Sequence, residues 1–252
     1  MKTVFITYGD KNYRIKKIIL KYQAKRLGFH QAIGFGRNDL DPNFILECEP
    51  YISSIRGGGY WIWKPYIIFK QLMKLKENDI LAYCDAGCLI EYSNSSVFLE
   101  YLNLLQENFV LAFESGQLNN NYINDETLKY FDLLKDDLFL NQIQVEAGVI
   151  LIRKCKESIE LFSEWLSIAS EKAFLFSDFS SESTTRKDFI EHRHDQSVFN
   201  ILFYLKGGTS LKKVPNGHMA SPFKTYRISD KQLPIIKQLM WVISYFIKVK
   251  IF

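Results

Sequence analysis

The chain has 252 residues, 47% of them hydrophobic and 24% charged, with a formal net charge of +4. That length and apolar content suit one globular domain with a sizeable core. The small positive excess does not argue for a nucleic-acid partner, and none is expected. The opening "MKTVFITYGDKNYR" turns polar at Gly9-Asp10, where a secretory leader would stay apolar. No charge-free apolar run reaches the roughly 18 residues of a membrane span. Cys48, Cys84, Cys88 and Cys155 show no CxxC spacing, so they read as reduced, buried thiols of a cytoplasmic protein.

In chain order, "TVFITYG" (3–9) predicts a first strand and "KNYRIKKIILKYQAKRL" (11–27) an amphipathic helix ended by Gly28. "HQAIGFG" (30–36) is a second strand, and this β-α-β opening implies a parallel α/β sheet. After a turn made flexible by Gly57, Gly58 and Gly59, "KPYIIFKQLMKL" reads as a helix with Pro65 in its first turn. "ENDILAYC" is an apolar strand suited to a sheet covered on both faces. "SNSSVFLEYLNLL" is a helix with Ser and Asn available as caps.

"FVLAFES" (109–115) is a strand followed by the loop-like "GQLNNNYINDET", then the short helix "LKYFDLLKDD". "QVEAGVILIRK" (144–154) is a strand leading into the amphipathic helix "ESIELFSEWLSIASE". "SDFSSESTTRKDFIEHR" is polar and reads as mobile, and "HDQSVFNILFYL" is a helix with Asp195 at its start. One domain is therefore expected over 1–228. The tail, 229–252, is a basic amphipathic helix with Leu233, Ile236, Met240, Ile243 and Ile247 on one stripe. It would either pack on the domain or lie in a membrane interface.

Five stretches could carry chemistry. In "DILAYCDAG", Asp85 stands at the carboxyl end of a buried strand, the usual place for ligands in open α/β sheets. It could hold a hard divalent ion or cap a turn. In "GGGYWIWKP", Tyr60, Trp61 and Trp63 could stack on a base or sugar, or be core residues; Lys64 could meet a phosphate. Glu146 in "VEAGVILIRK" could act on hydroxyls or face solvent at a strand start. In "EHRHDQSVF", His194, Asp195 and Gln196 could point into a cleft, with Asp195 as helix cap the alternative; His192 and His194 share an HxH spacing. His218 in "PNGHMASP" is a late loop histidine that could complete a metal shell.

Taken in order, "VFITYGD", "GGGYWIWKPYII", "DILAYCDAG", "VEAGVILIRK" and "HRHDQSVFN" resemble the bacterial and viral GT-A-fold glycosyltransferases of surface-polysaccharide assembly, over roughly residues 1–220. The resemblance implies a single GT-A-like (Rossmann-like) α/β domain with a mostly parallel central sheet flanked by helices. It implies a nucleotide-diphosphate sugar as donor and a glycan or lipid-linked saccharide as acceptor. Catalysis would fall to Asp85, Glu146 and Asp195. Thr7, Tyr8, Tyr60, Trp63 and Lys64 would bind the donor, and Glu146, His194 and Gln196 the acceptor or its sugar. A divalent cation, Mn²⁺ or Mg²⁺, would sit on Asp85 with His218 as a late ligand. The family's DxD motif is here Asp85-Ala86-Gly87, so the second carboxylate is missing. A membrane-bound tail would place the enzyme at the inner face of the cytoplasmic membrane. Two other readings stay open, a non-catalytic glycan-binding scaffold at the membrane and a sugar nucleotidyltransferase.

Overall fold

The computed structural model describes residues 1–178, 184–212, 221–225 and 229. The tail helix expected over 229–252 and His218 lie outside the described residues, Ser229 aside. No helix among the described residues is long and apolar enough to cross a membrane.

The first half runs β1 (Thr3–Tyr8), α1 (Arg14–Leu27), β2 (Gln31–Phe35), α2 (Pro42–Glu47), the short turn α3 (Gly57–Tyr60), α4 (Trp63–Leu72), β3 (Ile80–Cys84), β4 (Leu89–Ile90) and α5 (Ser95–Glu107). The second runs β5 (Val110–Leu118), α6 (Asn119–Tyr122), α7 (Asp125–Tyr130), α8 (Asp137–Leu140), β6 (Ile143–Arg153), α9 (Lys156–Glu171), α10 (His194–Leu205), β7 (Thr209–Leu211) and β8 (Phe223–Lys224). The architecture is mixed α/β. Six strands form the central sheet in the order β2-β1-β3-β6-β5-β7. The pairs β1–β2, β1–β3 and β5–β7 are parallel, so the sheet is mostly parallel. β6 is antiparallel to both β3 and β5.

Strand alternation explains the two apolar layers. Val4, Ile6, Leu81 and Tyr83 face one side with α4, α9 and α10, where Trp165, Phe162 and Phe199 fill the core. Phe5, Ile80, Ala82 and Cys84 face the other side, covered by α1 and α5 through Leu20, Phe98 and Leu105. Every residue of β3 is buried, as its uninterrupted apolar run requires.

β6 breaks this regularity where it matters. The two steps from Ala112 to Glu114 on β5 are matched by five from Ile150 to Val145 on β6. Val145 and Ala147 belong to the first layer, but Val149 belongs to the second. The strand therefore bulges around Gly148 and changes face. Bulges of this kind re-aim side chains beside functional sites.

The Gly57–Gly59 stretch is fixed rather than a loose turn. Gly57, Gly58, Gly59, Tyr60 and Trp61 all have positive φ, from 48° to 103°. A run of five such residues is rare, because each L-residue side chain there opposes the conformation. At Gly59 a Cβ would fall 2.4 Å from the Ile52 carbonyl oxygen, whereas at Gly28 (φ 114°) it would meet open space. Gly28→Ala should cost about 1 kcal/mol through its backbone alone. Gly59→Ala should cost several times that, about 3 kcal/mol or more, since backbone must also move. Urea unfolding of the two variants checks the ordering.

The segment read as mobile is anchored over its described part. Arg186 donates to Asp125 Oδ1 at 2.6 Å, to Asn120 Oδ1 at 2.6 Å and to the Ile123 carbonyl. Burial works to raise the Asp125 carboxyl, but Arg186 and the Thr185 amide override it and hold it below its usual value. The loop-like stretch after β5 likewise contains α6 and α7, with Asn124 capping Thr127 N–H. Asn94, one of the residues available to cap α5, stands at its N-cap but makes no side-chain cap bond there.

Candidate active site

A cleft of about 720 Å³ opens at the carboxyl ends of β1 and β3. Its size is that of a site for a small organic ligand. β1 delivers Tyr8, the turn after β3 delivers Asp85, the β6 bulge delivers Glu146 and Gly148, and the first turn of α10 delivers His194, Asp195 and Gln196. Asp85 donates its backbone N–H to the Gly148 carbonyl at 2.8 Å, extending the β3–β6 ladder by one bond. Its own carbonyl accepts from Cys88 N–H, closing the Asp85-Ala86-Gly87-Cys88 turn.

The floor of the cleft is a charged cluster around one buried ammonium. Lys64 is 2% exposed. Its Nζ lies 2.5 Å from Asp195 Oδ2, 3.3 Å from Asp85 Oδ1 and 3.1 Å from the Ala147 carbonyl oxygen. These are three acceptors for three N–H groups. Lys64, expected to reach the donor, holds two carboxylates together with its protons. Burial alone would lower its pKa, but Asp195 and then Asp85 reverse this and raise it, so Lys64 stays charged. Tyr83, fully buried, donates its hydroxyl to Asp85 Oδ1. The Asp85 side chain thus bonds to Tyr83 and Lys64.

Burial pushes Asp195 up to about 6; Lys64 pulls it down, and Asp85 adds to the rise. His192 goes the other way, to about 3, because burial disfavours its charged form. Its Nδ1 accepts from Asn124 N–H and its Nε2 bonds the Leu175 carbonyl, which fixes a neutral ring with the proton on Nε2. The two shifts have opposite consequences for stability. Between about pH 4 and 6 the native state holds an extra proton on Asp195, so that contribution falls as pH rises. Over the same range the unfolded chain holds an extra proton on His192, so that contribution falls as pH drops. The two oppose each other. Asp195→Asn removes one of them, and its Tm should fall more steeply than that of the parent as pH drops from 6 to 4. Calorimetry across that range checks the slope.

His194 has φ 52°, in the left-handed region, and sits against two residues of the left-handed run. Its ring stacks on Trp61 at 5.4 Å and tilts against Tyr60 at 5.3 Å. Its Nδ1 bonds the Phe176 carbonyl and its Nε2 accepts from Arg56 Nε at 3.0 Å, so it too is neutral, and burial lowers its pKa. Arg56 also pairs with Asp178 at 3.3 Å. Two strained segments are thereby locked together on one wall of the cleft. Such strain persists where surrounding contacts over-determine it, and it clusters at functional sites.

The remaining expected residues divide. Tyr8 lines the cleft, and its ring stacks on Trp63 at 3.8 Å; burial pushes the Tyr8 phenol up to about 12. Trp63 also lines the cleft, but it is only 4% exposed and donates its indole N–H to the Gly57 carbonyl. Thr7 and Tyr60 are buried away from the cleft lining. Gln196 lines the cleft and donates to Gln144 at 2.6 Å. Sequence reasoning did not single out Arg56, Tyr83, Ser115, Gln117 or Gly148. Tyr83 sits inside an apolar run and carries no signal of its own. The Gly148 side of the site depends on the bulge.

The described residues brought together here do not form a shell for a divalent ion; His218, the other expected ligand, lies outside them. Among the described residues no group of three His, Cys, Asp or Glu side chains could hold a metal. Asp85 Oδ1 already has a hydroxyl donor and an ammonium, and the place of a second carboxylate is Gly87.

No protein-family model matches the chain, and no curated protein matches it in sequence. Among solved structures it is similar to a glycosyltransferase involved in the glycosylation of the major capsid of PBCV-1, at 11% identity over 84% of this chain and 82% of that one, TM-score 0.48. It is similar to the galactosyltransferase LgtC in complex with donor and acceptor sugar analogues, at 13% identity over 83% and 72% of the two chains, TM-score 0.45. It is also similar to mouse xyloside xylosyltransferase 1, at 12% identity over 84% and 85%, TM-score 0.44.

Proposed function

We propose that the protein is a glycosyltransferase that moves a sugar from a nucleotide-diphosphate sugar to a hydroxyl of a glycan or lipid-linked saccharide, in the building of a surface polysaccharide. The observation that carries this reading is the Lys64–Asp85–Asp195 cluster on the floor of a 720 Å³ cleft at the strand ends, with Glu146 and Gln196 beside it. Lys64 and Asp195 are nearly closed off from solvent, but Asp85 is a third exposed. Through it the cluster opens on a cleft large enough for a sugar nucleotide, at the end of the sheet where such ligands bind.

In this reading Asp85 and the Lys64–Asp195 pair orient the donor sugar, and Glu146 and Gln196 meet the acceptor hydroxyl. His194 shapes the wall behind them. Tyr8 lies towards the base, and Arg56 and Arg193 are lining cations that meet the diphosphate. Residues 1–228 form the catalytic domain. Thermal shift with a panel of nucleotides and nucleotide sugars tests the reading. One nucleotide family should raise Tm by several degrees at saturating ligand, and no response to any member would sink it.

A further inference from the structure

We propose that Asp85 takes a hydroxyl of the donor sugar through its Oδ2 oxygen, over the bare Cα of Gly148, and does not act as the ligand of a divalent cation. The inference rests on the transferase reading and deepens it.

Three observations point this way. Tyr83 and Lys64 both bond Oδ1, so the carboxylate is turned with Oδ2 as its working atom. A cation shared with Asp195, the Lys64 ammonium, is already built in beside Asp85. Among the described residues no group of three His, Cys, Asp or Glu side chains stands ready to complete a metal shell around it. Third, a Cβ on Gly148 would stand 3.3 Å from Asp85 Oδ2, and its next neighbour beyond that carboxyl would be the Thr225 methyl at 4.0 Å. The bare Cα of Gly148 therefore leaves Oδ2 open on that side, where a methyl group would crowd it. The β6 bulge accounts for the position, since the face change at Gly148 brings that Cα beneath Asp85.

The reading separates two contacts that a metal would fuse. A metal ligand holds the diphosphate, so its loss weakens nucleoside diphosphate and sugar nucleotide alike. A hydroxyl acceptor holds the sugar alone. The test is calorimetric titration of UDP against UDP-glucose and GDP against GDP-mannose, each in EDTA and in Mn²⁺, with the parent protein, Asp85→Asn and Gly148→Ala. Gly148 lies outside the positive-φ region, so Gly148→Ala should fold, and circular dichroism confirms it. The parent should bind its nucleoside diphosphate equally in EDTA and Mn²⁺. Both variants should keep that affinity within about twofold and lose about 10- to 100-fold for the sugar nucleotide, the loss expected of one hydrogen bond to a charged group. Binding of the nucleoside diphosphate that requires Mn²⁺ and is lost in Asp85→Asn would overturn the proposal. So would variants that bind the sugar nucleotide like the parent. A parent that binds no ligand of either kind would instead refute the transferase reading, and this inference with it.

Discussion

Replacing Lys64 by Met is expected to destabilise the fold by about 3–5 kcal/mol at neutral pH, the range seen when one partner of a buried ion pair is removed. Most of that cost falls on Asp195, which is 5% exposed and would be left without its cation. Asp85, with a third of its side chain exposed, contributes less because water screens it. The effect should depend on pH in a definite sense. Asp195 is already held at about 6 with Lys64 in place, and without it the carboxyl rises further. A native-state pKa raised above the unfolded value means the native chain keeps its proton to higher pH, so the penalty grows as pH rises and is relieved as pH falls. Lys64→Met should therefore be closer to the parent in stability at pH 5 than at pH 8. Denaturant titrations at the two values check this. An equal loss at both would mean that packing of the lysine stem, not the charge, carries the effect.

Asp85→Ala should reduce turnover by about 10³-fold or more while lowering stability by only about 1–3 kcal/mol, the cost of leaving the buried Tyr83 hydroxyl without its acceptor. Lys64 would keep Asp195 and the Ala147 carbonyl, so no buried charge is stranded. The Asp85 backbone bonds to Gly148 and Cys88 do not need the side chain. Activity per folded molecule measured beside a melting curve separates the possible roles. A large fall in Tm with activity retained would make Asp85 a turn-stabilising residue.

The elements carrying strong periodicity were legible. The apolar run Ile80–Cys84 forms a strand with both faces covered, and "HDQSVFNILFYL" forms α10 over His194–Leu205, with Asp195 in its first turn. The β-α-β opening is parallel as expected. Other features depend on partners distant in sequence. "VILIR" alternates in the same way whether its neighbours run parallel or antiparallel, so the reversed direction of β6 leaves no local mark. Three glycines promise freedom, but their sequence does not say that Tyr60 and Trp61 will follow them into the left-handed region. That depends on His194, more than 130 residues later, closing against both rings.

The site was legible as a list of polar residues near strand and helix ends, and less so as a set of contacts. Asp85, Glu146, His194, Asp195 and Gln196 line one cleft, as their positions at element ends suggested. The depth of Lys64 was not visible, because a lysine in the first turn of an amphipathic helix is ordinarily a surface group. The two carboxylates brought to it by β3 and α10, with the Ala147 carbonyl, make its burial tolerable. The same holds for Trp63, whose aromatic partner turned out to be Tyr8 of β1.

The measurement that tests the central claim most directly is turnover. The protein is incubated with a panel of nucleotide-diphosphate sugars and a mixture of saccharide and lipid-linked saccharide acceptors. Mass spectrometry follows released nucleoside diphosphate and new glycoside together. The account predicts that one donor yields both in equal amounts, and that Asp85→Ala abolishes both. Donor binding with no product from any acceptor, or product formation unaffected by Asp85→Ala, would contradict it.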